Sequence, residues 1–447
     1  MVNKRIFILA LAVMFLLSAC DQVPTESHDQ DALATAVAAT LAAAPVEDDV
    51  SATTAPEDTV KSQPSPTPET QAAPSITMQD FLLAYTDDGN LWTLTPGGSG
   101  QQLTSSGDVI EVLLSSDRQL IVYVRQSLQP DIFEVRAINA DGRNDRQILS
   151  QDTLDNLYPL DGALHYLTSQ MEFIPGTYAL LFNTRAVFDG PGLVKNDDLY
   201  RLDVDTGELA ELIAREQGGD FLISPDGEKL AISQADSIAM AGVDGSNLRP
   251  DLVTFQPIIT YSEYQYYPVM VWATDSTRFG VFIPSSDPLA ENPSGTVWIV
   301  PIENPAQSFT PIQGQVFFPQ SNGRSLLSAD LQTVAFVRED EDSSLFISNL
   351  DGTDSRPYDQ GDLQWIGWSP DGSHFAYRRE QVRLALGRPE ADPRPLADGR
   401  SLRWLSSELY IVQSGQRGDW SLTLGHVDGT TKALVQPESE TLVYDIR

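Results

Sequence analysis

The chain has 447 residues, with 63 Asp and Glu against 28 Lys and Arg, and a formal net charge of −35. Such a chain lacks the cationic surface that neutralising a phosphate backbone requires, which excludes nucleic acid as a partner class. A single cysteine excludes an intrachain disulfide framework and a thiolate-rich metal site, while 41% apolar and 9% aromatic residues suffice for a large core.

In chain order, Lys4 and Arg5 precede an unbroken apolar run over residues 6–19. A membrane-spanning helix takes about 20 residues, so this shorter run reads as a secretory signal. It ends Leu17-Ser18-Ala19-Cys20. That tetrapeptide resembles the lipobox of bacterial lipoproteins. The resemblance implies cleavage after Ala19, lipidation of Cys20, and attachment in the bacterial cell envelope outside the cytoplasmic membrane. Two or more acyl chains anchor a protein stably where one does not. The plain alternative is an ordinary signal peptide followed by a chance cysteine.

Residues 29–44 are Ala-rich with Asp at the start, which suits a short helix. Residues 45–75 are rich in Pro, Thr, Ser and Glu, a composition that cannot bury enough surface to fold. Residues 20–75 are therefore expected to form a lipid-bearing tether, reaching ~40 Å as a flexible coil.

From residue 76 to 447 the pattern changes to short β-type runs between turn residues. Phe221–Ser233 and Ile366–Arg378 share one Ser-Pro-Asp-Gly turn between two apolar runs. Weaker copies stand at Ser116-Asp117-Arg118, Ile174-Pro175-Gly176, Thr274-Asp275-Ser276, Ala329-Asp330-Leu331 and Ser406-Ser407. A second turn series runs from Pro96-Gly97 to Asp428-Gly429, with Asp-Gly at 141, 244, 351 and 428, at intervals of about 47 residues. Asp-Gly between β runs signals a hairpin, because both residues tolerate positive φ. Each unit thus reads as four strands. The expected fold is all-β: a single β-propeller of four-stranded blades over residues 76–447. Eight blades is the expectation and seven the alternative, since residues 150–178 are hard to register. The first unit lacks an inner strand, and residues 441–447 are left over. Pairing the two would close the ring and remove an open sheet edge.

These repeats resemble the propeller of the TolB-like family, whose units carry a Ser-Pro-Asp-Gly-type turn and an Asp-Gly hairpin. TolB itself carries an α/β domain before its propeller. Here a spacer holds that place, so the chain reads as a TolB-like lipoprotein and not as TolB. Prolyl-oligopeptidase relatives fuse such propellers to a hydrolase domain, for which no room remains.

Chemistry is sparse. There is no G-x-S-x-G elbow and no H-E-x-x-H, and His165, His374 and His426 fall in unrelated repeats. Asp203, Asp205 and Glu208 alternate with Gly207 as hard-cation loops do. The full EF-hand pattern is absent and a hairpin turn is already required there, so calcium is the alternative to a plain turn and no other cofactor is expected. The seven Trp fit blade packing. Tyr261, Tyr264, Tyr266 and Tyr267 cluster in one connection, either as filling between blades or as a recognition surface. Longer loops at 186–198 and 284–295 would extend such a surface. The expected function is a membrane-tethered, monomeric binding or scaffold module for a protein, peptide or glycan. The alternatives are an enzyme with its site in the central channel, or an accessory subunit of an envelope complex by analogy with TolB.

Overall fold

The Ser-x-Asp turn holds each repeat by local chemistry. In four repeats a buried serine, Ser115, Ser224, Ser328 or Ser369, donates its hydroxyl to the aspartate two residues on, at 2.5–2.7 Å. The same oxygen accepts the N–H five residues on, from Leu120, Lys229, Thr333 and His374, at 2.9–3.1 Å. The aspartate accepts a further N–H two residues beyond itself. Buried polar groups are thus satisfied within one turn, which makes the reversal strongly specified. The residue after the aspartate is left-handed: φ is +75° at Gly227 and +74° at Gly372, but also +63° at Arg118, +57° at Ser276 and +55° at Leu331. The turn geometry survives where its glycine does not.

In the computed structural model the described residues are 76–447, apart from 129–130, 159–161, 190–192, 263, 314–323 and 339–342. The expected signal segment, Cys20 and the tether lie outside them. The described residues form a β-propeller of eight blades. Blade 1 has Tyr444–Ile446 innermost, then Leu83–Asp87, Asn90–Leu94 and Gln101–Gln102. The C-terminal strand therefore closes the ring, pairing Leu83 with Ile446 and Tyr85 with Tyr444. The inner strands of blades 2 to 5 are Val109–Leu114, Ala163–Phe173, Asp220–Ile223 and Met270–Trp272. Blade 6 has a single inner bridge, Leu327 to Val334, before three full strands. Blades 7 and 8 begin with Leu363–Trp368 and Ser401–Trp404.

The outer strand of blade 2 ends at Ser150, and blade 3 begins with the strand Ala163–Phe173. Ser150 caps a short helix, Gln151–Asp155, by accepting the Thr153 N–H at 3.0 Å, and an eleven-residue inner strand follows. The third strand of this blade comes in two pieces, Leu193–Lys195 and Leu199–Asp203, both paired to Ala179–Phe188.

Second strands are buried on both faces because each blade is covered on both sides. Leu120 to Val124 are all buried, as are Leu180 to Phe182 and Val334 to Phe336. This explains why they read as continuous apolar runs instead of alternating ones. The blades are also stitched. Trp272, Trp368 and Trp404 donate their indole N–H to the Leu222, Leu326 and Gly367 carbonyls at the inner edge of the preceding blade, at 2.8–3.1 Å. At the outer edge, Arg146, Arg249, Arg356 and Arg394 start outer strands or lie within them. Each donates to a carbonyl of the next blade: Val204, Ile302, Pro389 and Val427.

Candidate functional site

Alternating strand direction sorts the loops. The Ser-x-Asp and Asp-Gly turns share one face of the ring, and the remaining loops and blade-to-blade connections share the other. One long connection on that second face is 255–269, between blades 4 and 5, and it carries the tyrosine cluster. It is tied to the following loop of blade 5: the Ile259 N–H donates to Ser286 O at 2.8 Å, and Tyr261 Oη donates to Asp287 Oδ1 at 2.7 Å. Leu289 N–H donates to the same Asp287 oxygen at 3.0 Å. Thr260 Oγ1 donates to Tyr264 O at 2.6 Å, folding the tip back on itself.

The structure divides the four tyrosines. Tyr261 and Tyr264 are 58% and 53% exposed, beside Ile259 and Leu289 at 49% and 52%. Tyr266 packs against the core between blades 4 and 5, and burial pushes its phenol pKa up. Tyr267 is buried and donates to both carboxylate oxygens of Asp197, at 2.9 and 3.0 Å. The last two are consumed by the fold; the first two present an aromatic and aliphatic patch on a braced loop pair.

Beneath Tyr267 lies a network that residue patterns alone did not show. Lys195 Nζ sits 4.1 Å from the Tyr267 ring centroid and donates to both oxygens of Asp220, at 2.6 and 2.7 Å. Asp197 has φ +49°, at the break in the third strand of blade 3. Burial pushes its carboxyl up to about 6, against the opposing pull of Tyr267 and Lys195. Asp198 is buried and accepts Thr184 N–H and Oγ1–H at 2.8 and 2.5 Å. Gly218 follows from this arrangement, since a Cβ there would lie 2.8 Å from the carbonyl oxygens of Asp197 and Asp198. Asp198 finds its partner Thr184 within blade 3, whereas Asp197 is reached by Tyr267 from the connection between blades 4 and 5.

The other sequence candidates are turn residues. Asp203 Oδ1 accepts Asp205 N–H, Thr206 N–H and Thr206 Oγ1–H at 2.8–3.1 Å, which commits it to the hairpin. Asp205 pairs with Arg146 at 3.4 Å, and Glu208 is exposed. No group of three or more His, Cys, Asp or Glu placed to hold a metal ion occurs among the described residues. His165 lies in blade 3 against Asp155, His374 in a blade 7 turn against Ser373, and His426 in blade 8 between Glu408 and Asp428.

No protein-family model matches the chain, and no curated protein matches it. Among solved structures it is similar to a eukaryotic initiation factor, at 12% identity and TM-score 0.47, covering 81% of this chain and 85% of that one. It is also similar to TolB from Acinetobacter baumannii, at 14% identity and TM-score 0.34, covering 81% and 66%. The β-propeller domain of the Trilobed protease from Pyrococcus furiosus is similar at 11% identity and TM-score 0.39, covering 75% and 94%. The described residues form an eight-bladed β-propeller.

Proposed function

We propose that this chain is a lipid-anchored, extracytoplasmic propeller that binds a protein, peptide or glycan through the face carrying residues 255–269. The observation that carries the reading is the pair Tyr261 and Tyr264, exposed beside Ile259 and Leu289 on loops braced by hydrogen bonds. Tyrosine gives large amphipathic contact area at low entropic cost, and bracing reduces the ordering cost of binding. The tether of residues 20–75, with Cys20 as the lipid attachment point, gives the ring reach away from a membrane. An accessory role in an envelope complex is the same reading with a protein as the partner.

Two experiments test it. Metabolic labelling with a fatty-acid precursor should mark the wild-type chain and not Cys20→Ala; an unlabelled wild type would remove the anchor. Binding to peptide and glycan arrays should be lost in the Tyr261→Ala/Tyr264→Ala double variant while its melting temperature holds. Array binding unaffected by the double variant would remove this face.

A further inference from the structure

A cavity of about 540 Å³ opens between blades 6 and 7, on the same face of the ring as the tyrosine connection and two seams further round. Three pieces of chain line it. The first is the connection that leaves the outer strand of blade 6, Arg356–Gln360, through Gly361 and Asp362. The second is the hairpin tip of blade 7, between the strands Phe375–Arg379 and Arg383–Arg388. The third is the outer strand of that blade, Ala391–Asp398. Part of the lining is apolar: Leu384 and Ala385 are buried, and Leu363, Pro393, Pro395 and Leu396 join them. The two prolines fix their own φ and carry no N–H, so this wall is stiff and offers no backbone donor.

The rest of the lining is exposed and charged, with Arg379 and Arg383 against Asp362, Glu380 and Asp398. Arg379 is held by Asp359 at 2.7 Å, and Arg383 by Glu380 at 3.3 Å. Arg400, two residues past Asp398, lies over the Trp420 ring of blade 8 at 5.4 Å. Each arginine of the lining is thus matched by one acid, and Asp362 and Asp398 bring two further negative charges from two different walls.

The hairpin tip between those walls is strained. Glu380 and Gln381 have φ +50° and +70°, and no other two consecutive non-glycine residues are left-handed among the described residues. Val382 N–H donates to Glu380 O at 2.9 Å, closing the rare, strained form of three-residue turn around Gln381. Two bonds hold it there: Glu380 N–H to Asp362 O at 3.0 Å, and Gly399 N–H to Val382 O at 2.7 Å. These partners stand at Asp362 and next to Asp398, so the tip fixes the two acids relative to one another. Strain of this kind persists where the surroundings over-determine it, as at ligand clamps.

We infer that this cavity is a second binding site, which takes an organic cation, an ammonium group on an apolar body, with Asp362 and Asp398 meeting the charge and the Leu and Pro walls receiving the body. Its volume is that of a small-molecule site. A bare metal ion does not suit it, since no group of three acids placed to hold one occurs among the described residues. The site shares no residue with the Tyr261 and Tyr264 patch, and its fate is independent of theirs.

The test uses the full chain, with phenethylammonium as probe and 2-phenylethanol as its neutral counterpart, read by titration calorimetry and by melting. The amine should bind saturably and raise the melting temperature where the alcohol does not. Asp362→Asn/Asp398→Asn should weaken the amine by about tenfold or more, the worth of a charge-assisted hydrogen bond. Both side chains are exposed, so this variant should melt as the wild type does without ligand. Glu228→Gln/Glu303→Gln removes the same charge from exposed positions on the other face and should leave the affinity unchanged. The blocked dipeptide acetyl-Leu-Lys-amide runs alongside, and both of its outcomes support the site: tighter binding than the amine makes a lysine side chain the source of the cation, and weaker binding makes it a free amine. No saturable binding of the amine, equal response to amine and alcohol, or equal weakening in the two double variants would overturn the site.

Discussion

Two classes of carboxylate pull the pH dependence of this protein in opposite directions. The turn aspartates Asp117 and Asp371 sit below their ordinary range, held there by hydrogen bonds from Ser115 and Ser369 and by nearby N–H groups, despite burial. Their stabilisation is present above the unfolded value and lost as pH falls. Glu172, on the inner strand of blade 3, is pushed up to about 7 by burial, with Arg447 opposing. Between its ordinary value and about 7 the native state holds more protons than the unfolded one, so stability falls as pH rises through that window. Glu172→Gln should therefore stabilise the protein at pH 8 by on the order of 2 kcal/mol and flatten urea midpoints measured across that window. Ser369→Ala should cost about 1–3 kcal/mol, because it strands the His374 N–H and takes one of three hydrogen bonds from Asp371 Oδ1, and urea denaturation reads it directly. The serine and aspartate were legible in the sequence because their chemistry is local. Glu172 was not, because its burial depends on strands far away in the chain.

Among elements, the regular hairpins were legible and the departures from them were not. Asp-Gly marks the turn before an outer strand at 141, 244 and 351, and in each case an arginine stands five residues on: Arg146, Arg249 and Arg356. This spacing was there to be read, but its purpose shows only when the next blade is in place to supply the accepting carbonyl. Arg249→Ala should lower stability by about 1–2 kcal/mol. Arg143→Ala, whose side chain is 82% exposed and only 3.8 Å from Asp141, should leave the denaturation midpoint unchanged. Blade 3 resisted registration for a different reason. The capped helix before it, its long inner strand and its split third strand interrupt the spacing that the other repeats keep. Of the tyrosine connection, the sequence showed the composition, while the division into two exposed and two consumed rings depends on Asp197 and Asp287 arriving from neighbouring loops.

For the whole molecule, charge and closure are the governing features. Lys4 and Arg5 give residues 1–19 a charge of +2, and ten acids against Lys61 give residues 21–75 a charge of −9, leaving −28 on residues 76–447. Self-repulsion at that density destabilises the compact state and is screened by salt, so the melting temperature should rise as sodium chloride is added. A flat response would show that the acids are too dispersed to repel. Removing residues 441–447 should lower the melting temperature sharply, since it strips blade 1 of its inner strand and takes away the Asp445 contacts to blades 2 and 8. The same closure sets a timetable. Leu83 emerges from the ribosome early and waits for Ile446, its strand partner, until nearly all of the chain has been made. Seven blades can assemble one after another as they appear, but the first stays a three-stranded fragment with an unpaired edge until the end. If the chain is exported, the ring can become whole only on the far side of the membrane, after the last residues have crossed.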